Sequence, residues 1–201
     1  MKNLLFVLAM LFLTCSVIFA QADAHQKLNA IQEKFNSLKD FSVDFSRLSN
    51  SKKDLSGKMF YKSKNKIRLE MQNTLIVSDS KSIWNFNKKD KKVFITNADD
   101  DAQSFFSIDK LVNDYPAECE VNLLNIDGRE VIEMTPGTSS LQFNKILMWT
   151  NSDELLSKVL IEDQAIGKIE ITFSGYKLNT NIADSKFSFE PPEGNTVIDL
   201  R

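Results

Sequence analysis

The spacing of hydrophobic residues changes near residue 40 from a helical period to a strand period. Between Gln26 and Lys39, apolar side chains recur three or four positions apart, at Leu28, Ile31, Phe35 and Leu38. This spacing predicts an amphipathic helix. From Phe41 to Arg47, apolar and polar residues alternate, which predicts that the chain enters a β-strand soon after the helix ends.

Strand-like runs then recur along most of the chain. They lie near residues 55–62, 66–71, 74–78, 82–86, 91–96, 118–126, 129–134, 141–149, 155–162 and 167–178. Short polar linkers separate many of them and no long helix intervenes, so the pattern predicts a large antiparallel sheet and argues against a βαβ arrangement. Ser104–Asp114 breaks this rhythm and predicts a short helix that lies over the sheet. Pro191 and Pro192 exclude a central strand near the end of the chain.

Several of the predicted strands are apolar on both faces. Leu75, Ile76 and Val77 are consecutive, and so are the four residues 146–149. In an antiparallel sheet with one solvent-exposed face, apolar and polar residues would alternate along each strand. These strands are therefore covered on both faces or face a cavity. The 15 phenylalanines supply bulk for either arrangement. Periodicity does not separate a packed core from an apolar pocket, and both interpretations stay open.

The first twenty residues have the layout of a secretory signal, with Lys2 followed by an apolar run and then by small residues. We expect cleavage after Ala20 or Ala22 and a single domain over residues 21–201. The apolar run is shorter than the roughly 20 residues that span a bilayer comfortably. The resulting mature chain has a formal charge of −3, because the value of −2 for the whole sequence includes Lys2. This balance indicates neither nucleic acid nor an anionic membrane surface as a partner, and a monomer is the default expectation.

Side chains that could perform catalysis or bind a metal are scarce. His25 is the only histidine and lies near the start of the predicted helix. Cys119 shares an alternating face with apolar neighbours and is typical of a small buried hydrophobe. It is the only cysteine left once Cys15 is removed with the signal, which excludes an intramolecular disulfide. Asp99–Asp101 lack the spaced ligands and turn glycine of an EF-hand loop, and no G-x-S-x-G motif occurs. We therefore expect that the protein is not an enzyme and that it has neither a cofactor nor a metal site.

Two separated motifs resemble those of a known family. Residues 76–87, IVSDSKSIWNFN, resemble the signature of periplasmic lipoprotein carriers of the LolA type, with Ser80 in place of the usual glycine. Residues 187–194, FSFEPPEG, resemble the closing F-x-F-x-P-P-x-G of that family. The order of helix and strands is also similar along nearly the whole mature chain, and Phe105 and Phe106 open the short helix.

The resemblance implies a mainly β (α+β) fold, an incomplete and strongly curved antiparallel β-barrel with short helices lidding an apolar concave face. It implies a periplasmic carrier that binds the acyl chains of lipoproteins in a hydrophobic cavity. Such a carrier takes acylated lipoproteins from an inner-membrane lipoprotein-releasing transporter and passes them to an outer-membrane acceptor. The physical logic agrees, because each buried methylene contributes about 0.8 kcal/mol and an acyl chain does not cross water unshielded.

Strand parity on this fold directs one apolar face of the first three strands toward the cavity. We predict that the ligand-binding residues are Phe41, Val43, Phe45, Met59, Tyr61, Ile67 and Leu69. A register error of one residue would send each set to the opposite face.

The family resemblance also points to basic candidates for holding the lid and for transfer. Many members carry an Arg-Pro pair just after the strand that corresponds to Gly57–Tyr61, whereas Ser63 and Lys64 occupy those positions here. Lys62 and Lys64 are therefore candidates to substitute for the arginine, without its bidentate geometry. Arg68 matches a second basic position that is frequent in the family.

The altered Arg-Pro site leaves alternatives open. One is a carrier of another apolar ligand, such as a glycolipid or a pigment precursor, on the same fold. Another is a lipid-sensing regulatory domain, which would usually bring an additional domain. A third is a membrane-tethered acceptor, which would require lipidation at Cys15 although Thr14 precedes it.

Overall fold

The computed structural model describes residues 23–98 and 107–201. Within them, helix α1 spans residues 23–37 and is followed by one twelve-stranded sheet. The strands are β1 (Asp40–Ser49), β2 (Lys52–Lys62), β3 (Lys66–Met71), β4 (Thr74–Ser78), β5 (Ser82–Asn87), β6 (Lys92–Asn97), β7 (Cys119–Ile126), β8 (Arg129–Pro136), β9 (Phe143–Thr150), β10 (Leu156–Asp163), β11 (Gly167–Leu178) and β12 (Thr196–Asp199).

Residues 107–118 form a second, mainly helical segment, here called the covering segment. In it a π-helical turn, Lys110–Asp114, leads into a short α-helix, Tyr115–Glu118. A 3-10 turn, Asp184–Phe187, lies between β11 and β12. None of the helices among residues 23–98 and 107–201 is long and apolar enough to cross a membrane.

The sheet is assembled from two antiparallel meanders. Strands β1 to β6 and β7 to β11 each pair in chain order, and the pairing of β1 with β11 joins the two runs. The covering segment leads into β7, at the far edge of the sheet from β6. The resulting order, β12-β6-β5-β4-β3-β2-β1-β11-β10-β9-β8-β7, has two separate edges, so the sheet is not closed into a barrel. The expected incomplete antiparallel barrel is confirmed.

Several boundaries and one pairing differ from the sequence expectations: α1 extends back to residue 23, β2 begins at Lys52, and β9 begins at Phe143. Helix α1 ends at residue 37, before Lys39, and β7 begins at Cys119 because Glu118 completes a helical turn. Strand β12 pairs with β6 in parallel, which is the one exception to the antiparallel pattern among the described strands. A four-residue strand beyond a proline pair carries too little periodicity to predict this pairing. The proposed signal and its cleavage sites, Asp99–Asp101, and residues 104–106 of the predicted short helix lie outside the described residues.

The main core lies between one face of the sheet, here called the concave face, and the helices. Helix α1 buries Ala24, Leu28, Ile31 and Phe35 against it, and Leu38 directly after the helix is buried there too; all but Ala24 are positions that the helical spacing predicts. The covering segment adds Ile108, Leu111 and Val112 to the same cluster.

A second apolar layer covers the opposite, convex face of β3 to β6. Register pairs place Val77 beside Trp84 and Trp84 beside Ile95, so these side chains share one face. The C-terminal segment packs there, with Phe187 only 1% exposed and the Phe189 ring 5.7 Å from that of Phe86. This layer explains why strands such as β4 are apolar on both faces.

Candidate functional site

An apolar cavity lies between the concave face and the covering segment. Its volume is about 40 Å³, and none of the described residues that line it is charged. The lining residues are Phe45, Met59, Ser107, Ile108, Leu111, Tyr115, Phe143, Ile146, Val159, Ile161, Ile171 and Phe173. Roughly 10–15 Å³ of cavity volume holds one water molecule, so this conformation has room for only a few water-sized groups.

The cavity walls come from five neighbouring strands whose inward residues meet across the sheet. Phe45 on β1 pairs with Phe173 on β11, and Val159 on β10 pairs with Ile171 on β11. Strands β2 and β9 are four strand spacings apart, roughly 19 Å in a flat sheet. Met59 and Ile146 nevertheless line the same small cavity. The sheet must therefore curve around the site.

Gly57 contributes to this curvature by permitting a close backbone approach. It pairs with Phe45 on β1 and with Met71 on β3. A Cβ at this position would overlap the carbonyl oxygen of Glu70. Any larger residue would push β2 and β3 apart at the site, so glycine is required here.

The covering segment is attached to helix α1 by a few side-chain amides. Gln32 Nε2 donates to the carbonyl oxygen of Val112 over 3.0 Å. Asn36 and Asn113 exchange two amide hydrogen bonds, of 3.2 and 3.1 Å. The Asn36 and Asn113 pair is exposed to solvent, so water can replace both bonds when the segment moves. The remaining attachment is apolar and non-directional.

A second, smaller apolar cavity of about 10 Å³ lies under helix α1. Ile108 lines both cavities and therefore forms part of the wall between them. Three aromatic rings, those of Phe35, Phe41 and Tyr61, pack together beside the smaller cavity. The centroid of the Tyr61 ring lies 5.0 Å from that of Phe41 and 5.1 Å from that of Phe35. The two cavities therefore lie in the same apolar core, in contact with Ile108 on both sides.

Three titratable groups in the core around the cavities, Tyr61, Tyr176 and Cys119, are held neutral. Burial, with a smaller contribution from Asp109, raises the pKa of Tyr61 to about 12. Burial also raises the pKa of Tyr176, whose hydroxyl donates to the carbonyl oxygen of Leu156 over 2.9 Å. The pKa of the Cys119 thiol rises to about 11, chiefly through burial. At neutral pH these groups are uncharged, so the surroundings favour an apolar occupant.

The seven residues predicted to bind ligand lie together on the concave face. Phe45 and Met59 line the larger cavity, and Phe41 lines the smaller one. Val43, Tyr61 and Leu69 are buried in the same core, and Ile67 packs against it half-buried. Contact with a ligand stays a prediction for all seven.

The basic candidates occupy a different place from the one expected of a lid latch. The ammonium of Lys62 donates to the carbonyl oxygen of Ile182 over 2.9 Å and lies 3.1 Å from the Asp184 carboxylate. Arg68 binds Glu70 and the carbonyl oxygen of Lys186. These partners lie in β3 and the C-terminal segment, not in the covering segment. Lys64 lies exposed in the turn between β2 and β3.

Strand parity explains the position of Lys62 and Arg68. Lys62 follows Tyr61, and Arg68 precedes Leu69. Because Tyr61 and Leu69 point to the concave face and neighbouring residues of a strand point to opposite faces, Lys62 and Arg68 point to the convex face. Burial alone would raise the pKa of Glu70, but hydrogen bonds from Lys186 and Arg68 outweigh it and hold that pKa below its usual value. This charged cluster fastens the C-terminal segment to the sheet.

Sequence reasoning missed the residues that complete the site. Seven lining residues come from β9 to β11 and from Tyr115, and their alternation was visible, but their cavity side was not assigned. The amides of Gln32 and Asn36 lie one helical turn apart on the polar side of α1, a signal too common to single them out.

Metal chemistry finds no support in the described residues. No group of three or more His, Cys, Asp or Glu side chains that could hold an ion occurs within 23–98 and 107–201. His25 is exposed on helix α1. The site is therefore defined by its apolar cavity and its cover.

Comparison with known proteins places this geometry in a family context. The profile described as "Outer membrane lipoprotein carrier protein LolA" matches residues 36–190, more than half of the chain. The match begins within helix α1 and ends beside the proline pair. It thus includes every strand of the sheet except β12.

Individual relatives are more distant. An uncharacterized protein of Methanocaldococcus jannaschii is 24% identical over 204 residues; the match covers 96% of this chain but only 60% of that protein. The crystal structure of an uncharacterized conserved protein from Thermus thermophilus superposes with a TM-score of 0.58 at 10% identity, covering 88% of this chain and 99% of the other. A LolA superfamily protein from Nitrosomonas europaea gives a TM-score of 0.43 at 14% identity, with 83% and 97% covered.

Proposed function

Because the chain belongs to the LolA family of outer membrane lipoprotein carrier proteins, we propose that it is a periplasmic carrier of lipoprotein acyl chains. It takes acylated lipoproteins from an inner-membrane lipoprotein-releasing transporter and delivers them to an acceptor at the outer membrane. The observation that carries this proposal is the uncharged apolar cavity under a separable covering segment. The protein acts as a monomer and performs no catalysis in this scheme.

The small cavity volume implies that the carrier opens to load. A space of about 40 Å³ does not admit an acyl chain, so the covering segment moves away when ligand enters. Ile108, Leu111 and Val112 leave the core in that step, each at a cost of roughly 1.5–3 kcal/mol. A chain of about 16 carbons regains on the order of 10 kcal/mol when it is buried in their place.

Release of the acyl chain requires that the cavity bind it without specific polar contacts. An apolar wall holds any acyl chain of suitable length, because its attraction is non-directional. The cover closes again once the chain has left, which buries the same side chains. The closed conformation therefore competes with the cargo and lowers the net affinity to a level compatible with transfer.

A second candidate is a carrier of another apolar ligand, such as a glycolipid or a pigment precursor. The observation that favours it is the engagement of Lys62 and Arg68 by residues 182–186. Neither cation faces the cover, so the family's usual Arg-Pro latch has no direct replacement at these positions.

Native mass spectrometry of the protein purified from a periplasmic fraction tests these proposals, with denaturing analysis of whatever dissociates. An acylated lipoprotein is the expected companion. A glycolipid or a pigment precursor would favour the second candidate. An empty protein that also fails to bind fluorescent fatty acids would contradict both.

A further inference from the structure

The overall charge of this protein hides an uneven distribution along the sheet. Residues 40–98, which hold β1 to β6, contain 13 basic and 6 acidic side chains. Residues 107–201, which include the covering segment and β7 to β12, contain 8 basic and 16 acidic side chains. The part of the chain that forms β1 to β6 is thus basic and the part that follows is acidic, although the net charge of the sequence is only −2.

The basic half concentrates its charge at one end of the strands, here called the lysine end. It consists of the turn between β1 and β2 and the turn between β5 and β6. Both turns lie at the same end, because consecutive strands run antiparallel. Its six lysines are exposed: Lys52, Lys53, Lys88, Lys89, Lys91 and Lys92.

The turn between β3 and β4 makes this surface continuous. Lys88 Nζ donates to the carbonyl oxygen of Met71 over 2.7 Å and so connects the β5–β6 turn to the β3–β4 turn. On the other side of the β3–β4 turn, toward β2, lies an open polar recess of about 180 Å³, lined by Lys53, Ser56, Gln72, Asn73 and others. Strands β2 and β5 are three spacings apart, so the lysines span about 15 Å.

The ammonium groups of the lysine end have no carboxylate partner among the described residues. No ion pair involves any of the six lysines among residues 23–98 and 107–201. Of the acidic groups nearby, Asp54 binds Arg47 and Asp90 accepts a bond from Asn87. Glu193 also lies at this end, three residues before Thr196, whose N–H donates to the carbonyl oxygen of Lys91, and a single carboxylate leaves the six lysines in excess. The positive charge of the lysine end is therefore available to an outside partner.

We propose that the lysine end docks the protein on the anionic headgroups of a lipid bilayer. Flexible lysines spread over turns suit a diffuse negative surface, since the cores of protein interfaces are depleted in lysine and enriched in aromatic residues and arginine. Ile166 is 47% exposed at the same end, and its carbonyl accepts a bond from Asn50 in the β1–β2 turn. It supplies an apolar side chain that enters the headgroup layer beside the lysines.

This docking would bring the cavity close to the membrane. Phe143 begins β9 directly after a turn at the lysine end, and Ile161 lies two residues before the end of β10 at that same end. Both line the apolar cavity. The docking itself needs no bound cargo, so it stands or falls separately from the carrier proposal.

Flotation of the empty protein with phosphatidylcholine vesicles, with and without about one quarter phosphatidylglycerol, tests the proposal. The wild type should bind the anionic vesicles only, and high salt should release it. A lysine near an anionic surface contributes about fivefold to binding, so K53Q/K89Q should weaken it about 20-fold. The matched control, K81Q/K177Q, removes two exposed lysines at the opposite end and should change binding less than about twofold.

Two results would overturn the proposal. One is wild-type binding that phosphatidylglycerol does not increase at low salt, which would leave an acidic protein as the occupant of the lysine end. The other is equal loss of binding in the two double variants, which would mean that the position of the lysines is irrelevant. Circular dichroism and thermal unfolding of each variant establish that all of them remain folded.

Discussion

The side-chain amides of Asn36 and Asn113 donate to each other, over 3.2 and 3.1 Å, and join helix α1 to the segment that covers the cavity. Below them the attachment consists of buried apolar side chains, among them Val112 at 0% exposure. The cover therefore has a polar contact that water can replace and an apolar contact that an acyl chain can replace. Both features favour reversible opening.

Asn36→Ala should accelerate ligand entry. The substitution removes both hydrogen bonds to Asn113, which contribute about 1 kcal/mol in total at an exposed site. Because opening the cover then costs less, we expect a fluorescent fatty acid to associate about fivefold faster. Stopped-flow fluorescence measures the rate. Gln142→Ala, which removes an exposed amide beyond the cavity, is the control. Equal rates for both variants and the wild type would mean that the amide pair does not restrain the cover.

Val159→Phe should reduce ligand affinity by filling the wall of the cavity. Val159 is fully buried and lines the site, so a larger side chain occupies space that the ligand needs. We expect the dissociation constant of a 16-carbon fluorescent acid to rise at least about tenfold, an overpacking cost of the usual 1–3 kcal/mol. Val77→Phe, equally buried in the convex layer, should lower stability without that loss of affinity. Similar losses in both variants would contradict the assignment of the site.

Asp40→Ala should release the C-terminal segment. The Asp40 carboxylate is buried and accepts bonds from the backbone N–H groups of Thr180, at 2.8 Å, and Ile182, at 3.3 Å. Leaving these donors unpaired should cost about 2 kcal/mol and speed hydrogen exchange of amides in residues 180–187. Asp44→Ala removes an exposed carboxylate from the same strand as a control. Unchanged exchange in Asp40→Ala would show that other contacts hold the segment.

Alkaline pH should destabilise the fold partly through Tyr61. Its pKa is about 12 in the folded protein against 10.0 for the free side chain, so the unfolded chain loses the phenolic proton first. The stabilisation from the neutral phenol is complete below pH 10 and is lost as the pH rises toward about 12. Urea unfolding between pH 8 and pH 12 should show a smaller decline for Tyr61→Phe than for the wild type. Parallel declines would exclude this contribution.

The parts of the fold that follow from local periodicity could be predicted from the sequence. The helical spacing of Leu28 and Phe35 and the alternation of Phe41 and Phe45 each identify an element and its buried face. The same parity directs Lys62 away from the cavity, so its contact with the C-terminal segment was implicit in the pattern.

Features that depend on distant pairings could not be predicted in this way. Phe173 faces Phe45 because β1 pairs with β11, a register between strands more than a hundred residues apart that no local pattern specifies. The amide contact of Asn36 with Asn113 likewise depends on how a helix docks on the covering segment. The closed state of the cavity depends on side-chain packing, which periodicity does not report.

Photo-crosslinking with a 16-carbon fatty acid that carries a diazirine near its methyl end shows where an acyl chain binds. We expect saturable labelling, mapped by peptide mass spectrometry to β9–β11 and the covering segment, at residues such as Ile146, Ile161 and Leu111. An excess of unlabelled acid should abolish it. Labelling that maps instead to the convex layer around Val77 and Phe187, or that does not saturate, would contradict an acyl-chain site under the cover.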